Sequence, residues 1–368
     1  MAATDHELID FDLHGLAGVR LVDADARDVA TVGRQLGELR RPLGREPDIV
    51  LRFVDRLPLR GRLRYLGLDD AAFTDDAFLV LRSRHKAPAR VQLPLDRVGG
   101  QIEIVCERGL PAVPLLIPIL NLTVLANGVL PLHASAFLHE GVGVVTTGWS
   151  KGGKTEALLA FAAHGASYVG DEWVYVAAGG SRVHGIPEPV RLWDWHLRQL
   201  PHVRERIGRG NRLRVALLAR GADAASGVRR PRGLGRLARR ALPLLERQLG
   251  ADVPPELVFA AAADGVPFDR LFLMVSHDAP EITVEDVDPV EVADRMEHSL
   301  QYERASLTAY YRKFRFAFPG VTSPVLEEAD ERERTLLRQI FEGKPAWAVG
   351  HPYPVSLEDL YAAMRVHV

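Results

Sequence analysis

A single cysteine, Cys106, in 368 residues excludes an internal disulfide framework and a cysteine-built zinc site. It sits in the alternating run Ile102–Cys106, so the expectation for it is a buried core thiol. Long apolar runs are missing too. The most apolar stretch, Leu115–Ala126, is too short to span a bilayer and reads as a buried helix with Pro118 tolerated in its first turn. Neither sign of charge prevails: 46 Lys and Arg against 48 Asp and Glu leave a formal charge of -2, with no general drive toward nucleic acid or an anionic membrane. Aromatic residues are absent between Trp195 and Phe259, where arginine is densest, so the base-stacking partners of a single-strand binder are missing there. Met1–Glu7 is polar and acidic with no signal-peptide pattern, and the expected location is the cytoplasm. No internal repeat is visible.

What is present is ordinary globular composition, 47% hydrophobic and 26% charged, at a length that suits two domains. One stretch organises the rest. Val142–Thr147 is a β-branched apolar run and predicts a buried strand. Gly148-Trp149-Ser150-Lys151-Gly152-Gly153-Lys154-Thr155 then matches Gly-x-x-x-x-Gly-Lys-Thr without a mismatch, and Ala157–Ala163 is a run of helix formers. Strand, glycine loop and helix together are the context a phosphate-binding loop requires. The glycines let the chain turn and bring main-chain N–H groups onto phosphate oxygens, and the helix start adds its positive end. Lys154 would reach the β- and γ-phosphates, and the Thr155 hydroxyl would ligate Mg²⁺.

Two features flank this loop. The stretch Val129–Phe137 reads as one apolar strand carrying His133 and Ser135. A lone His in such a run is ordinarily a core residue, but a strand next in sequence to the loop strand is often next to it in space, which makes His133 a candidate. Downstream, Ala166–Val176 reads as strand, Asp171-Glu172, strand. Carboxylates at such a strand tip suit Mg²⁺–nucleotide chemistry: one holds the metal, the other accepts the proton of an attacking hydroxyl.

These residues carry a family resemblance. Leu132-His133, Gly141–Val144, Gly148–Glu156 and Gly165–Glu172 resemble the catalytic core of HPr kinase/phosphorylase, and the HPr-kinase-like small kinases more closely still. The loop and Gly170-Asp171-Glu172 are also similar to the nucleotide core of phosphoenolpyruvate carboxykinase. The likeness covers about residues 130–177. It implies an α/β fold with a mixed sheet, and phosphate transfer from a nucleotide to a hydroxyl. It implies that His133 lies near the active site and that Asp171 binds metal or does acid–base work. Glu172 stands where the family usually has a second aspartate, which leaves open which of Asp171 and Glu172 is the base. Lys151 replaces a small residue and either touches phosphate or faces solvent. At Val183–Trp193 the Glu/Arg/Gly signature of the HPr enzymes is missing, so HPr is not the expected acceptor. Those enzymes assemble as oligomers, and by analogy a homo-oligomer is left open.

Elsewhere the sequence is less specific. Residues 1–110 predict a smaller strand-rich accessory domain, with runs at Glu7–Asp12, Val19–Val22, Ile49–Val54, Phe78–Arg82, Val91–Leu93 and Gln101–Cys106, and one amphipathic helix over Asp28–Arg40. Residues 111–368 predict the catalytic domain, interrupted at 198–250 by a basic, partly mobile insertion. Its arginines suit either a phosphate clamp or, more plainly, a solvated surface. Leu271–Val275 predicts a buried strand. Asp288 caps a helix running toward Phe316, Glu327–Arg334 reads as a helix face in water, Ala346–Val349 is a short apolar run, and Ser356 caps a last helix to Met364.

The expectation is therefore an ATP- or GTP-dependent, Mg²⁺-requiring kinase acting on a peptide serine or a small alcohol. Gly148–Glu156 would bind nucleotide, Thr155 and Asp171 the metal, and Asp171, Glu172, His133 and Lys154 would do the chemistry. A nucleotide-binding switch or regulatory ATPase or GTPase without an acceptor could use the same loop, but has no need of an acidic pair plus histidine. A carboxykinase-like lyase would need a second metal site and carboxylate-binding arginines, which form no pattern here.

Overall fold

Alternating apolar residues lay down the first sheet. The computed structural model describes residues 9–37, 39–67, 70–81, 89–207 and 250–368. Strands β1 (Ile9–Leu13) and β2 (Ala17–Val22) form a hairpin, and α1 (Ala26–Leu36) leads to β3 (Ile49–Val54). Then β4 (Arg64–Leu66), β5 (Ala71–Phe73), β6 (Phe78–Val80), β7 (Val91–Gln92) and β8 (Ile102–Glu107) complete an eight-stranded sheet ordered β1-β2-β3-β8-β7-β6-β5-β4. Its centre, β2-β3-β8, is parallel. The helix starts at Ala26, earlier than the pattern suggested, because the Asp25 carboxylate accepts bonds from the Arg27 and Asp28 N–H groups while the Asp28 carboxylate accepts one from the Asp25 N–H. It stops before Gly37, whose φ of 61° is left-handed, rather than reaching Arg40. Cys106 is fully buried in this sheet, and burial pushes its thiol well up.

Helix α2 (Leu116–Ala126) leads into the second half. Its elements are β9 (Val129–Leu132), β10 (Ala134–His139), β11 (Val142–Gly148), α3 (Lys154–Ala162), β12 (Ser167–Gly170), β13 (Val174–Ala177), β14 (Arg182–Gly185), β15 (Val190–Trp193), α4 (Asp194–Gln199) and α5 (Pro201–Arg206). After the basic segment come β16 (Gly250–Val253), α6 (Pro255–Val258), β17 (Val266–Pro267), β18 (Arg270–His277), β19 (Thr283–Asp286), α7 (Pro289–Ala317), α8 (Pro324–Phe341), β20 (Ala346–Pro352) and α9 (Leu357–Met364). They build a six-stranded sheet, β12-β10-β11-β18-β20-β19, a four-stranded sheet, β17-β14-β13-β9, and the pair β15-β16. In the six-stranded sheet β11, β18 and β20 are parallel and the others antiparallel, so the fold is mixed α/β with mixed sheets. Most of the basic insertion, 208–249, lies outside the described residues, with the arginines and the helix expected there. No helix among the described residues is long and apolar enough to cross a membrane.

The six-stranded sheet is covered on both faces. Val145, Leu271 and Leu273 join the core shared by α2, α7, α8 and the first sheet, whereas Val144, Phe272 and Met274 join the core under α3 and α9. Burial of both faces is why β11 and β18 read as continuous apolar runs. Strand β11 also passes close to β17: a Cβ on Gly143 would lie 1.7 Å from the Pro267 carbonyl oxygen. Backbone cannot step aside there as a side-chain tip could. Gly143→Ala is expected to destabilise the fold by about 3 kcal/mol, the upper end for overpacking, which urea unfolding would measure. A loss within error would mean that the two strands separate freely.

Two expectations are corrected. The run 129–137 is not one strand: β9 lies in the four-stranded sheet and β10 in the six-stranded one, with His133 at the crossing. The charged run 327–334 is not wholly a face in water. Glu333 is buried, ion-paired with the buried Arg304 of α7, which also holds Asp330, and Glu327 accepts a bond from the Tyr311 hydroxyl at 2.7 Å. A charge pattern read along one helix cannot see a partner on another. Arg304→Met would strand the Glu333 carboxyl in the core, and is expected to cost about 3–5 kcal/mol in unfolding measurements. Stability equal to wild type would show that the pair contributes nothing.

Candidate functional site

The sheet crossing builds the site. Chain passes from the four-stranded to the six-stranded sheet at His133, between β9 and β10, and back again at Asp171–Trp173, between β12 and β13. Strands β9 and β13 pair with Leu132 opposite Val174, and β10 and β12 pair with Ala136 opposite Gly170, so the two crossings lie side by side. The Ala134 N–H donates to the Glu172 carbonyl at 3.2 Å. Glycine allows the approach: a Cβ on Gly185 would sit 2.3 Å from the Val169 carbonyl oxygen and 2.7 Å from Gly170 Cα. Glu172 turns the corner at φ 64°. Residues 38 apart in sequence are thereby set together without either lying in a long loop.

The glycine loop hangs from the end of β11. Gly148 has φ 146° and leaves 2.5 Å between a Cβ and the Met274 carbonyl oxygen; Gly153 has φ 109°. The Gly152 N–H closes a turn onto the Trp149 carbonyl at 3.0 Å, and α3 begins at Lys154. Beneath the loop lies the fully buried His351 of β20, with Nε2 2.9 Å from the Gly152 carbonyl oxygen and Nδ1 2.8 Å from that of Pro352.

Lys154 is buried and folded back, its ammonium donating to the carbonyls of Trp149 (3.0 Å) and Gly148 (3.4 Å). Burial lowers its pKa, against the opposing pull of Glu172, Asp171, Glu303 and Glu156. Thr155 donates to Asp171, with its hydroxyl 3.0 Å from Oδ2, and Ser135 donates to Oδ1 at 2.5 Å. Burial, and then the charge of Glu172, push the Asp171 carboxyl up to about 6, over the hydrogen bonds and the Lys154 charge that work the other way. Glu172 is different: its side chain is 61% exposed, yet Oε2 lies 3.1 Å from Nε2 of His133, which is 3% exposed. On its other side, His133 Nδ1 is 3.4 Å from Oε1 of Glu303 on α7.

The remaining loop residues divide. Lys151, at φ 63°, is exposed. Ser150 is partly exposed. Trp149 is exposed, its ring 5.0 Å from that of Tyr302 on α7. Glu156 turns its carboxylate to Nε2 of the buried His196 at 3.3 Å; burial is the largest single influence and would raise it, but the hydrogen bond and charge of His196, its own N–H and the charge of His351 together hold it below the ordinary range. What Glu156 can offer a phosphate is its N–H, at the start of α3.

The structure thus brings His133, Lys154, Thr155, Asp171 and Glu172 to one place, and adds Ser135, Glu303 and His351, which sequence reasoning did not select. Ser135 was visible beside His133 but had no motif. Glu303 and His351 lie 170 and 218 residues beyond His133, on elements that only the fold brings there. Carboxylates outnumber cations around Lys154, an arrangement that repels a bare polyphosphate and suits one carrying a divalent cation. Among the described residues no group of three or more His, Cys, Asp and Glu could hold a metal. No known family model matches the chain, and no curated protein matches it.

Proposed function

We propose that this chain is a nucleotide-dependent phosphotransferase with an HPr-kinase-like, phosphoenolpyruvate carboxykinase-like P-loop core. It would move the γ-phosphoryl group of ATP, or of GTP, to a hydroxyl on a peptide serine or a small molecule other than HPr. The observation that carries this reading is the 3.0 Å contact between the Thr155 hydroxyl and the buried Asp171, at the mouth of a glycine loop that ends on Lys154. Thr155 and Asp171 offer hard oxygen donors, which fit Mg²⁺, an ion that keeps waters and takes few protein ligands beside phosphates. When bound, that ion supplies charge neutralisation on the β- and γ-phosphates.

The chain's own groups do the rest. Loop N–H groups and the start of α3 bind the phosphates, and Lys154 exchanges its loop carbonyls for phosphate oxygens. Asp171 is committed to Thr155 and Ser135, which leaves Glu172, exposed and in contact with His133, facing the incoming hydroxyl. A switch without an acceptor has no use for that second carboxylate and its histidine. The test is a transfer screen with labelled nucleotide against serine peptides and small alcohols, with Lys154→Ala and Asp171→Asn beside the wild type. Label should reach an acceptor only with the wild type. Equal behaviour of all three proteins would refute the kinase reading.

A further inference from the structure

We infer that Glu303 is a positioning residue: it holds the His133 ring with the proton on Nδ1, so that Nε2 is the nitrogen that works beside Glu172. The inference deepens the proposed function and rests on it for the chemical step alone. Two observations carry it. Nδ1 of His133 and Oε1 of Glu303 are each buried without a hydrogen-bond partner among the described residues, and they face each other at 3.4 Å. A buried polar atom left unpaired is unfavourable, and a small rotation of either side chain would satisfy both. Nε2, meanwhile, is already engaged by Glu172 at 3.1 Å.

A carboxylate can only accept, so a neutral ring donates to one of its two carboxylates; Glu303 Oε1 is buried and unpartnered while Glu172 is 61% exposed and open to water, which places the N–H on Nδ1. The lone pair then belongs to Nε2, on the side of the exposed Glu172. In the transfer step the acceptor oxygen forms its bond to the γ-phosphorus as the bond to the β–γ bridging oxygen breaks, that electron pair leaving with the nucleoside diphosphate. The acceptor's proton passes to the Glu172 carboxylate and on to Nε2, while the Nδ1 proton stays against Glu303. The imidazolium so formed lies between two carboxylates. This is the division of labour by which a buried acid orients a catalytic histidine in hydrolases. Contacts of this kind are often long before substrate binds and tighten afterwards. Helix α7 is well placed to tighten this one, since Tyr302, the preceding residue, packs against Trp149 of the loop.

The test uses the full chain in two arms. Ring-nitrogen NMR of ¹⁵N-histidine protein, with the His133 signals assigned by their loss in His133→Asn, should show Nδ1 protonated in the wild type and a changed tautomer in Glu303→Gln. Phosphate release from Mg–ATP should fall about 10²–10⁴-fold in Glu303→Gln, with ATP affinity by calorimetry unchanged. Glu303→Asp, which keeps the charge, should recover part of the rate and shows whether loss reflects misfolding. A wild-type spectrum with the proton on Nε2, or ring shifts indifferent to Glu303→Gln, would overturn the inference. If the wild type releases no phosphate from Mg–ATP alone, the kinase reading is still decided by the transfer screen, and the nitrogen spectrum decides the role of Glu303.

Discussion

Asp171→Asn should lower phosphoryl transfer by about 10²–10³-fold, as for removal of one preorganised charged group, while leaving the nucleotide-free protein more stable than wild type at neutral pH. The two effects have one cause. Asp171 is buried beside Glu172, and its carboxyl is raised from 3.8 to about 6. As pH rises above 3.8, the unfolded chain releases this proton first and the folded chain keeps it. The folded state then binds more protons, so unfolding free energy falls with pH. The contribution is fully present below the unfolded pKa and lost as pH passes through about 6. A shift of that size is worth about 3 kcal/mol at 1.36 kcal/mol per unit. Asparagine keeps the shape, and its carbonyl can still accept from Thr155 or Ser135, but it never ionises. Urea unfolding of both proteins across that range should show their difference growing with pH and levelling off above about 6. A variant less stable than wild type at neutral pH, with an unchanged pH slope, would mean that Asp171 is a structural acid rather than a strained functional one. Functional groups held at such a cost to stability are a common compromise.

How much of this was legible depended on where the partners lie in sequence. The loop was readable because strand, glycines, Lys154 and helix are consecutive, and local chemistry suffices to recognise them. Asp171 and Glu172 were readable as a polar pair between two apolar runs. The break at His133 was not. Apart from His133 and Ser135, Val129–Phe137 is apolar, with no Gly, Asn or Asp at the break, and a chain passing between two buried sheets keeps the composition of a single strand. Pairings such as Glu303 with His133, His351 with Gly152 and Glu333 with Arg304 span 29 to 199 residues or lie on separate helices, and no periodicity encodes them. The charged side chains of α8 signalled water because sequence shows a charge but not its neutralising partner. Helix ends were set by capping chemistry at Asp25 and Gly37 more than by propensity.

Gly153→Ala is expected to damage both the fold and the phosphate-binding turn, and the damage has two separable parts. At φ 109° an alanine is strained wherever it has room, and here its Cβ would stand 2.0 Å from His351 Nε2. That same nitrogen contacts the Gly152 carbonyl at 2.9 Å, so the ring cannot retreat without abandoning the loop. Strain and overpacking together predict a loss of about 2–4 kcal/mol. Because Gly153 precedes the first residue of α3, nucleotide binding should fall with it. A double-mutant cycle separates the parts. His351→Ala opens the space but leaves the backbone angle untouched, so the pair should be less harmful than the sum of the singles by about 1–2 kcal/mol, as for residues in contact. The part that persists is the dihedral strain. Strict additivity would show that His351 does not press on the loop, and would remove it from the support of the phosphate-binding turn.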